Sequence, residues 1–249
     1  MSRQNVYDDP RFFAGYQTLR QKGAGLNECL EQPVLRRLMP DSLANLSILD
    51  MGCGSGDFAR AARAEGAARV IGIDLSGNML AEARARTDDP AIDYREMAIE
   101  DLGQLDECFD LAVSSLALHY VDDYASVLDA LARKLNEGGH LVFSVEHPIC
   151  TAVARQRWHF DEDGQATHWP VDNYRDESSR DTHWFIDGVV KYHRSLETYV
   201  NGLLEHGFRL TRLEEAVPTL EQVRATPALW PHRRRPPFLF ISAVRETGQ

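Results

Sequence analysis

Three glycines at alternate positions, Gly52, Gly54 and Gly56, stand between two acids, Asp50 and Asp57, and a third acid, Asp74, ends the next apolar run. Glycines so placed permit positive φ and let an extended ligand lie against bare backbone. The spacing is Gly-x-Gly-x-Gly. A dinucleotide site would want Gly or Ala at position 57, where a helix amino end meets pyrophosphate, and the carboxylate of Asp57 would repel that group. A ligand without phosphate and with a positive centre suits the flanking acids better, and Asp74 is placed to accept both hydroxyls of a ribose. Two histidines just past strand ends, His147 first and His119 second, are candidates to remove a proton from a reacting group, with capping or packing as the alternative for each.

The elements that must hold these residues alternate strand and helix. A strand ends at Asp50, and the alanine-rich stretch Phe58 to Glu65 reads as a helix. Arg69 to Asp74 is a second strand, and Ser76 can cap a helix from about Gly77 with Met79, Leu80 and Ala83 on its inner side. Ile92 to Met97 alternates as a third strand, Phe109 to Ser114 is a fourth, Asp122 to Leu135 is a helix with Asp122 or Asp123 at its start, and His140 to Val145 is a fifth strand after a Gly138-Gly139 turn. The glycine loop therefore sits at the carboxyl end of a strand in an α/β sheet. S-adenosylmethionine matches the ligand these residues describe.

The stretches Leu49-Asp50-Met51-Gly52-Cys53-Gly54-Ser55-Gly56, Gly72-Ile73-Asp74-Leu75-Ser76, Ala98-Ile99-Glu100-Asp101-Leu102 and Phe109 to Tyr120, in this order and spacing, resemble the class I S-adenosylmethionine-dependent methyltransferases. The small-molecule type related to the ubiquinone and menaquinone enzymes is the nearest in pattern. The resemblance covers residues 46–145. It implies a Rossmann-like, mostly parallel seven-stranded sheet whose last strand is antiparallel, and transfer of a methyl group to an acceptor it does not identify. It implies a cofactor site drawn from Asp50, Gly52, Cys53, Gly54, Gly56, Asp74, Leu75, Met79 and Ser114. Adenine is expected at the turn after the third strand, with the Ile99 amide as donor and Glu100 or Asp101 as acceptor, although the family's usual Asp is replaced by Ala98. In similar enzymes an amino-terminal segment folds over the cofactor. Here Tyr16 and Arg20, one helical turn apart, could meet the methionine carboxylate, with simple packing as the alternative.

The flanks fill out a single domain over 1–249: a helical lead-in (1–45), the cofactor core (46–145), a cap insertion after the fifth strand (146–193), and a closing helix and strands (194–249). Leu26 to Leu38 has helical apolar spacing interrupted by Pro33. The cap is rich in aromatic and imidazole side chains, among them Trp158, Trp169 and Trp184, expected to wall the acceptor, with a small satellite core as the alternative. A hairpin is expected around Asp161 to Gly164, and another strand from Gly188 to His193. Leu196 to His206 reads as a helix ended by Gly207, followed by strands at Phe208 to Leu213 and Phe238 to Val244.

Composition narrows the partners. At 43% hydrophobic and 26% charged residues the chain can bury a core, and no apolar run reaches a membrane span. The amino terminus lacks a secretory signal, so a cytoplasmic enzyme, monomer or homodimer, is expected. The four cysteines are not paired as in a zinc site, and no metal is expected. A net charge of −11 disfavours nucleic acid, and the basic run His232 to Arg235 reads as a solvated loop. A nicotinamide dehydrogenase is disfavoured by Asp57. A nucleic-acid or amide-nitrogen methyltransferase is disfavoured by Ser114-Ser115-Leu116-Ala117 standing where its Asn-Pro-Pro-Tyr would be. A protein methyltransferase and a cofactor-binding protein without transfer activity remain as alternatives.

Overall fold

Near-continuous apolar runs such as Ile48 and Leu49, buried on both faces, can only be inner strands of a covered sheet. The computed structural model describes residues 4–21 and 25–246. The expected lead-in and carboxyl-terminal unit also include residues 1–3, 22–24 and 247–249, which lie outside the described residues.

The lead-in supplies α1 (Pro10–Gln21) and α2 (Gln32–Leu38). The core follows as β1 (Ser47–Met51), α3 (Asp57–Ala64), β2 (Arg69–Asp74), α4 (Gly77–Ala85), β3 (Ile92–Glu96), β4 (Phe109–Ser115), α5 (Tyr124–Lys134) and β5 (Leu135–Glu146). After β5 come a short α6 (Pro148–Thr151) and two hairpins, β6 (His159–Phe160) with β7 (Ala166–His168) and β8 (Ser179–Trp184) with β9 (Ile186–Tyr192). The chain closes with α7 (Leu196–Glu205), β10 (Phe208–Glu214), α8 (Leu220–Ala225) and β11 (Phe238–Arg245).

The seven-stranded sheet has the order β10-β11-β5-β4-β1-β2-β3. β1 pairs in parallel with both β2 and β4, while β11, the last strand, runs antiparallel between β5 and β10. The chain thus winds outward from β1 to β3 and restarts at β4 on the other side, which opens a crevice above the carboxyl ends of β1 and β4. One apolar layer, including Leu128, Leu131 and Tyr199, covers one face; Leu35, Ala59 and Leu80 belong to the layer on the other.

The caps place the helices. Ser76 Oγ accepts from Met79 N, Asp123 accepts from Ser126 N, and Gly207 takes φ 79° after α7. The helix expected over Leu26 to Leu38 is two pieces, a π turn at Asn27–Glu31 and then α2. Pro33 has no N–H for the carbonyl of Cys29, four residues back, and that carbonyl instead accepts the Gln222 side-chain amide. The strand expected from Gly188 is longer, and its partner β8 had no clear alternation to reveal it. No helix among the described residues is long and apolar enough to cross a membrane.

Candidate functional site

The glycine loop leaves β1 with Gly52 at φ 72° and Gly54 at φ 52°, conformations that side chains rarely adopt. The Gly52 and Cys53 amides donate to Ile73 O, tying the loop to β2. At the end of β2, Asp74 accepts from Gly54 N at 2.9 Å and from Ser76 N at 2.8 Å. Burial raises its pKa, opposed by those two hydrogen bonds. Asp50, 3% exposed, has no hydrogen-bond partner for Oδ2 among the described residues. Burial first, and then the fields of Asp74 and Asp57, lift its pKa to about 8.

These groups line one cavity of about 440 Å³ in the crevice. Tyr16, Arg20, Cys53, Met79 and His119 line it as well. The remaining expected residues stand elsewhere. Gly56 turns its missing Cβ toward Tyr94, whose Oη would lie 2.0 Å from it, so this glycine serves packing under the loop. Leu75 presents its carbonyl to Asn5 at 3.0 Å, Ile99 lies behind Gly52, and Glu100 is outside the cavity wall. Ser114 faces the opposite side of the sheet and is fully buried, while its neighbour Ser115 lines the cavity, as strand alternation requires.

His147 is corrected most plainly. It does not line the cavity; its Nε2 lies 2.6 Å from Glu215 Oε1 and its Nδ1 accepts from Ile149 N, capping α6. A side chain held at both ring nitrogens by structure is not poised to take a substrate proton. His119 does line the cavity, with Nδ1 accepting from Glu146 N at 3.4 Å, and complete burial lowers its pKa to about 4. A neutral buried imidazole has a consequence for stability. The unfolded ring binds its proton near pH 6.5 and the folded one only near 4, so stability is full above 6.5 and is lost as pH falls toward 4. The expected loss is about 3 kcal/mol, read by denaturant melts at stepped pH, and His119→Asn should flatten that dependence; an unchanged slope in the variant would assign it to other groups.

Asp57 also differs from expectation. Arg20 at 3.3 Å, Arg60 at 2.5 Å and Arg86 at 3.4 Å surround its carboxylate. The negative field that favours a cation therefore comes from Asp74, and from Asp50 once it gives up its proton. Arg20 itself is shared between Asp57 and Glu28. Of the cap tryptophans only Trp184 lines the cavity. Trp158 and Trp169 pack edge to face and stack on the basic run, with the Arg235 guanidinium 3.7 Å from the Trp169 ring centre and that of Arg234 4.9 Å from Trp158. That run therefore packs on a half-buried aromatic pair, with Arg234 still exposed, rather than standing free in solvent.

Several cavity residues were not singled out as site residues by the sequence. Tyr7, Tyr120, Glu146 and Phe238 line it from four separate parts of the chain. Glu146 is held by the Lys191 ammonium at 2.6 Å and by Gln156 at 3.0 Å, and Lys191 is buried. Residues 4–8 strap over the crevice: Gln4 exchanges two hydrogen bonds with Val190 of β9, and Asp8 accepts from Ser76 Oγ and Asn78 N. Tyr7, Phe12, Tyr16 and Trp184 then pack edge to face beneath that strap. A second cavity, of about 360 Å³ and open, is lined by Ala14, Gly15, Thr18, Leu19 and Phe185 and carries no titratable group. No group of three His, Cys, Asp or Glu among the described residues could hold a metal ion.

Fold and cradle together define a Rossmann-like α/β protein that holds a nucleoside with no phosphate arm. Residues 49–143 match the methyltransferase domain family. The crystal structure of an S-adenosylmethionine dependent methyltransferase from Mesorhizobium loti is 45% identical, covers 89% of this chain and all of its own, and superposes with a TM-score of 0.82. An uncharacterized protein of Haemophilus influenzae is 35% identical over 96% of either chain. The ubiquinone biosynthesis O-methyltransferase of Alkalilimnicola ehrlichii is 39% identical over 100 residues, 39% of this chain and 40% of that one. The chain belongs to the S-adenosylmethionine-dependent methyltransferases; it is a methyltransferase and S-adenosylmethionine is its cofactor.

The cradle fits that cofactor on its own terms. Bare backbone at Gly52 and Gly54 admits a flat ligand, Asp74 offers a carboxylate to ribose hydroxyls, and the unpartnered Oδ2 of Asp50 calls for a donor or a cation. Because a cation beside Asp50 pulls its pKa below the value near 8, binding should release a proton at neutral pH. Affinity should then strengthen with rising pH up to that value and level off above it, by at most about tenfold per pH unit. Calorimetry in buffers of different ionisation heat measures the proton directly. Asp50→Asn should abolish the release, and a release that persists in that variant would place the titrating group elsewhere.

Proposed function

We propose that this enzyme transfers a methyl group directly to a small-molecule acceptor seated in the same cavity, at the end formed by Tyr7, Tyr120, Glu146, Trp184 and Phe238. The observation that carries this is continuity: one cavity joins the glycine loop to residues at and beyond the ends of β4 and β5. The cofactor fills part of that space, and what is left admits a small molecule and not a folded protein. The likeness to a ubiquinone biosynthesis O-methyltransferase supports the same class of acceptor. That likeness spans 39% of this chain and says nothing of the acceptor atom.

S-adenosylmethionine supplies, when bound, a methyl group already activated on a sulfonium. Asp74 and the Gly54 loop orient the donor, with Tyr16 and Arg20 near its methionine end. The strap of residues 4–8 and the Tyr16–Trp184 pair keep water out. His119, whose Nδ1 already accepts from the Glu146 amide, is assigned as the Nε2–H tautomer from that partner and is set to donate a hydrogen bond rather than to take a proton. Rate enhancement then comes from proximity and exclusion of water, and the protein needs no base of its own. Incubation with cofactor labelled in the methyl group and a cell extract, followed by precipitation, separates the outcomes. Label should remain with the soluble small molecules; label in precipitated macromolecules would overturn this reading.

A further inference from the structure

The walls of the cavity are chemically one-sided. Glu28, Asp50, Asp57, Asp74 and Glu146 line it, and among the described residues Arg20 is the single Lys or Arg that does so. Arg20 is already held by Glu28 at 2.7 Å and Asp57 at 3.3 Å, at the glycine-loop end. Lys191, which pairs with Glu146, stands behind the wall and presents the carboxylate, not the ammonium, to the interior. No cation is therefore placed to receive an acceptor that carries a carboxylate or phosphate.

A second observation is independent of charge. At or beneath the cavity the buried atoms with no partner among the described residues include Asn27 Oδ1, Glu31 Oε2 and Asp50 Oδ2; Asn27 Oδ1 is an acceptor, while burial raises the pKa of both carboxyl groups, so their free oxygens can hold a proton. Asp50 is 3% exposed and lines the cavity. Glu31 is fully buried under it, with Oε1 taken by Ser115 Oγ at 2.9 Å and Ser144 Oγ at 2.5 Å. Asn27 lines the cavity, and its free Oδ1 asks a guest for an N–H or O–H donor. The rings of Tyr7, Tyr16 and Tyr120 add a surface that attracts a cation.

We infer that the methyl acceptor is a small organic amine, cationic in water, selected by Glu146 and the surrounding tyrosines; this rests on the cavity being the transfer site. Glu146 Oε1 and Oε2 each accept one hydrogen bond, from Lys191 and Gln156, and each keeps a lone pair for a second donor, which an amine nitrogen supplies. A carboxylate or phosphate brings no such donor and would face the Glu146 carboxylate, whose Lys191 partner stands behind the wall. In the reaction the ammonium first gives one proton to water. Its freed lone pair then forms the nitrogen–carbon bond as the carbon–sulfur bond breaks, the bonding electrons pass to sulfur, and the positive charge ends on the methylated nitrogen.

The test splits a small-metabolite extract by ion exchange into cationic, neutral and anionic pools and offers each with cofactor labelled in its methyl group. Label should enter the cationic pool at least about tenfold above the other two. The double variant Glu146→Gln/Lys191→Met, which removes both charges together and so leaves neither buried alone, should lower that transfer by about tenfold or more while calorimetric affinity for S-adenosylmethionine stays within about twofold. Label in the neutral or anionic pool, or transfer to the cationic pool undiminished in a folded double variant, overturns the amine assignment and leaves the small-molecule reading standing. Label found only in precipitated macromolecules, or nowhere although the cofactor binds, overturns both.

Discussion

Gly56→Val is expected to cost about 3 kcal/mol or more of folding stability, the largest effect of any single change in the glycine loop. Two costs add. Gly56 sits at φ 74° as the cap of α3, where a branched side chain is held in a left-handed conformation at about 1–2 kcal/mol. Its Cβ would also lie 2.0 Å from Tyr94 Oη, 2.6 Å from Cζ and 2.9 Å from Cε1. Tyr94 cannot swing away freely, because it is buried and its hydroxyl donates to Gly56 O and meets Thr87 Oγ1. Overpacking of this kind adds about 1–3 kcal/mol. Urea melts of the variant without cofactor measure the sum. A loss below about 1 kcal/mol would show that the loop and Tyr94 yield together, and that this glycine is not needed for packing.

Asp74→Ala should weaken S-adenosylmethionine binding by about 1.5–3 kcal/mol, roughly 10- to 150-fold, while the fold persists. The carboxylate does two things at once. It holds the loop by accepting from Gly54 N and Ser76 N, and it lies at the cavity wall where ribose hydroxyls would donate to it. Removing it leaves two backbone donors to water and takes away the acceptor for the ligand, so the loss falls on binding first. Folding should survive because β2 keeps its pairing with β1 and β3 on either side. Calorimetric titration beside a thermal melt decides it: native affinity in a folded Asp74→Ala protein would remove the residue from the site.

Local signals carried much of this protein. The alternation of strands and helices from β1 to β5, the cap at Ser76, the glycine loop with Asp50 and Asp74, and the antiparallel last strand could all be read from the chain, because each depends on neighbours within a few residues or on a spacing shared with similar enzymes. The limits of that reading are equally physical. Asp57 looked like an uncompensated charge until folding brought Arg20 to it from α1 and Arg86 from beyond α4. His147 looked poised for chemistry at a strand end, but Glu215, 68 residues further on, takes its Nε2. The basic run looked solvated because its aromatic platform, Trp158 and Trp169, lies in a different insertion. Ser114 and Ser115 were indistinguishable as types, and only the register of β4 decided which faces the cavity. The cradle proposed for the cofactor is built mainly on one β-loop-α unit and the strand beside it, so its residues are close in sequence and legible there. The proposed acceptor end joins Tyr7, Tyr120, Glu146, Trp184 and Phe238, which no spacing connects, and only tertiary packing of the strap, the cap hairpin and the strand ends brings them to one cavity.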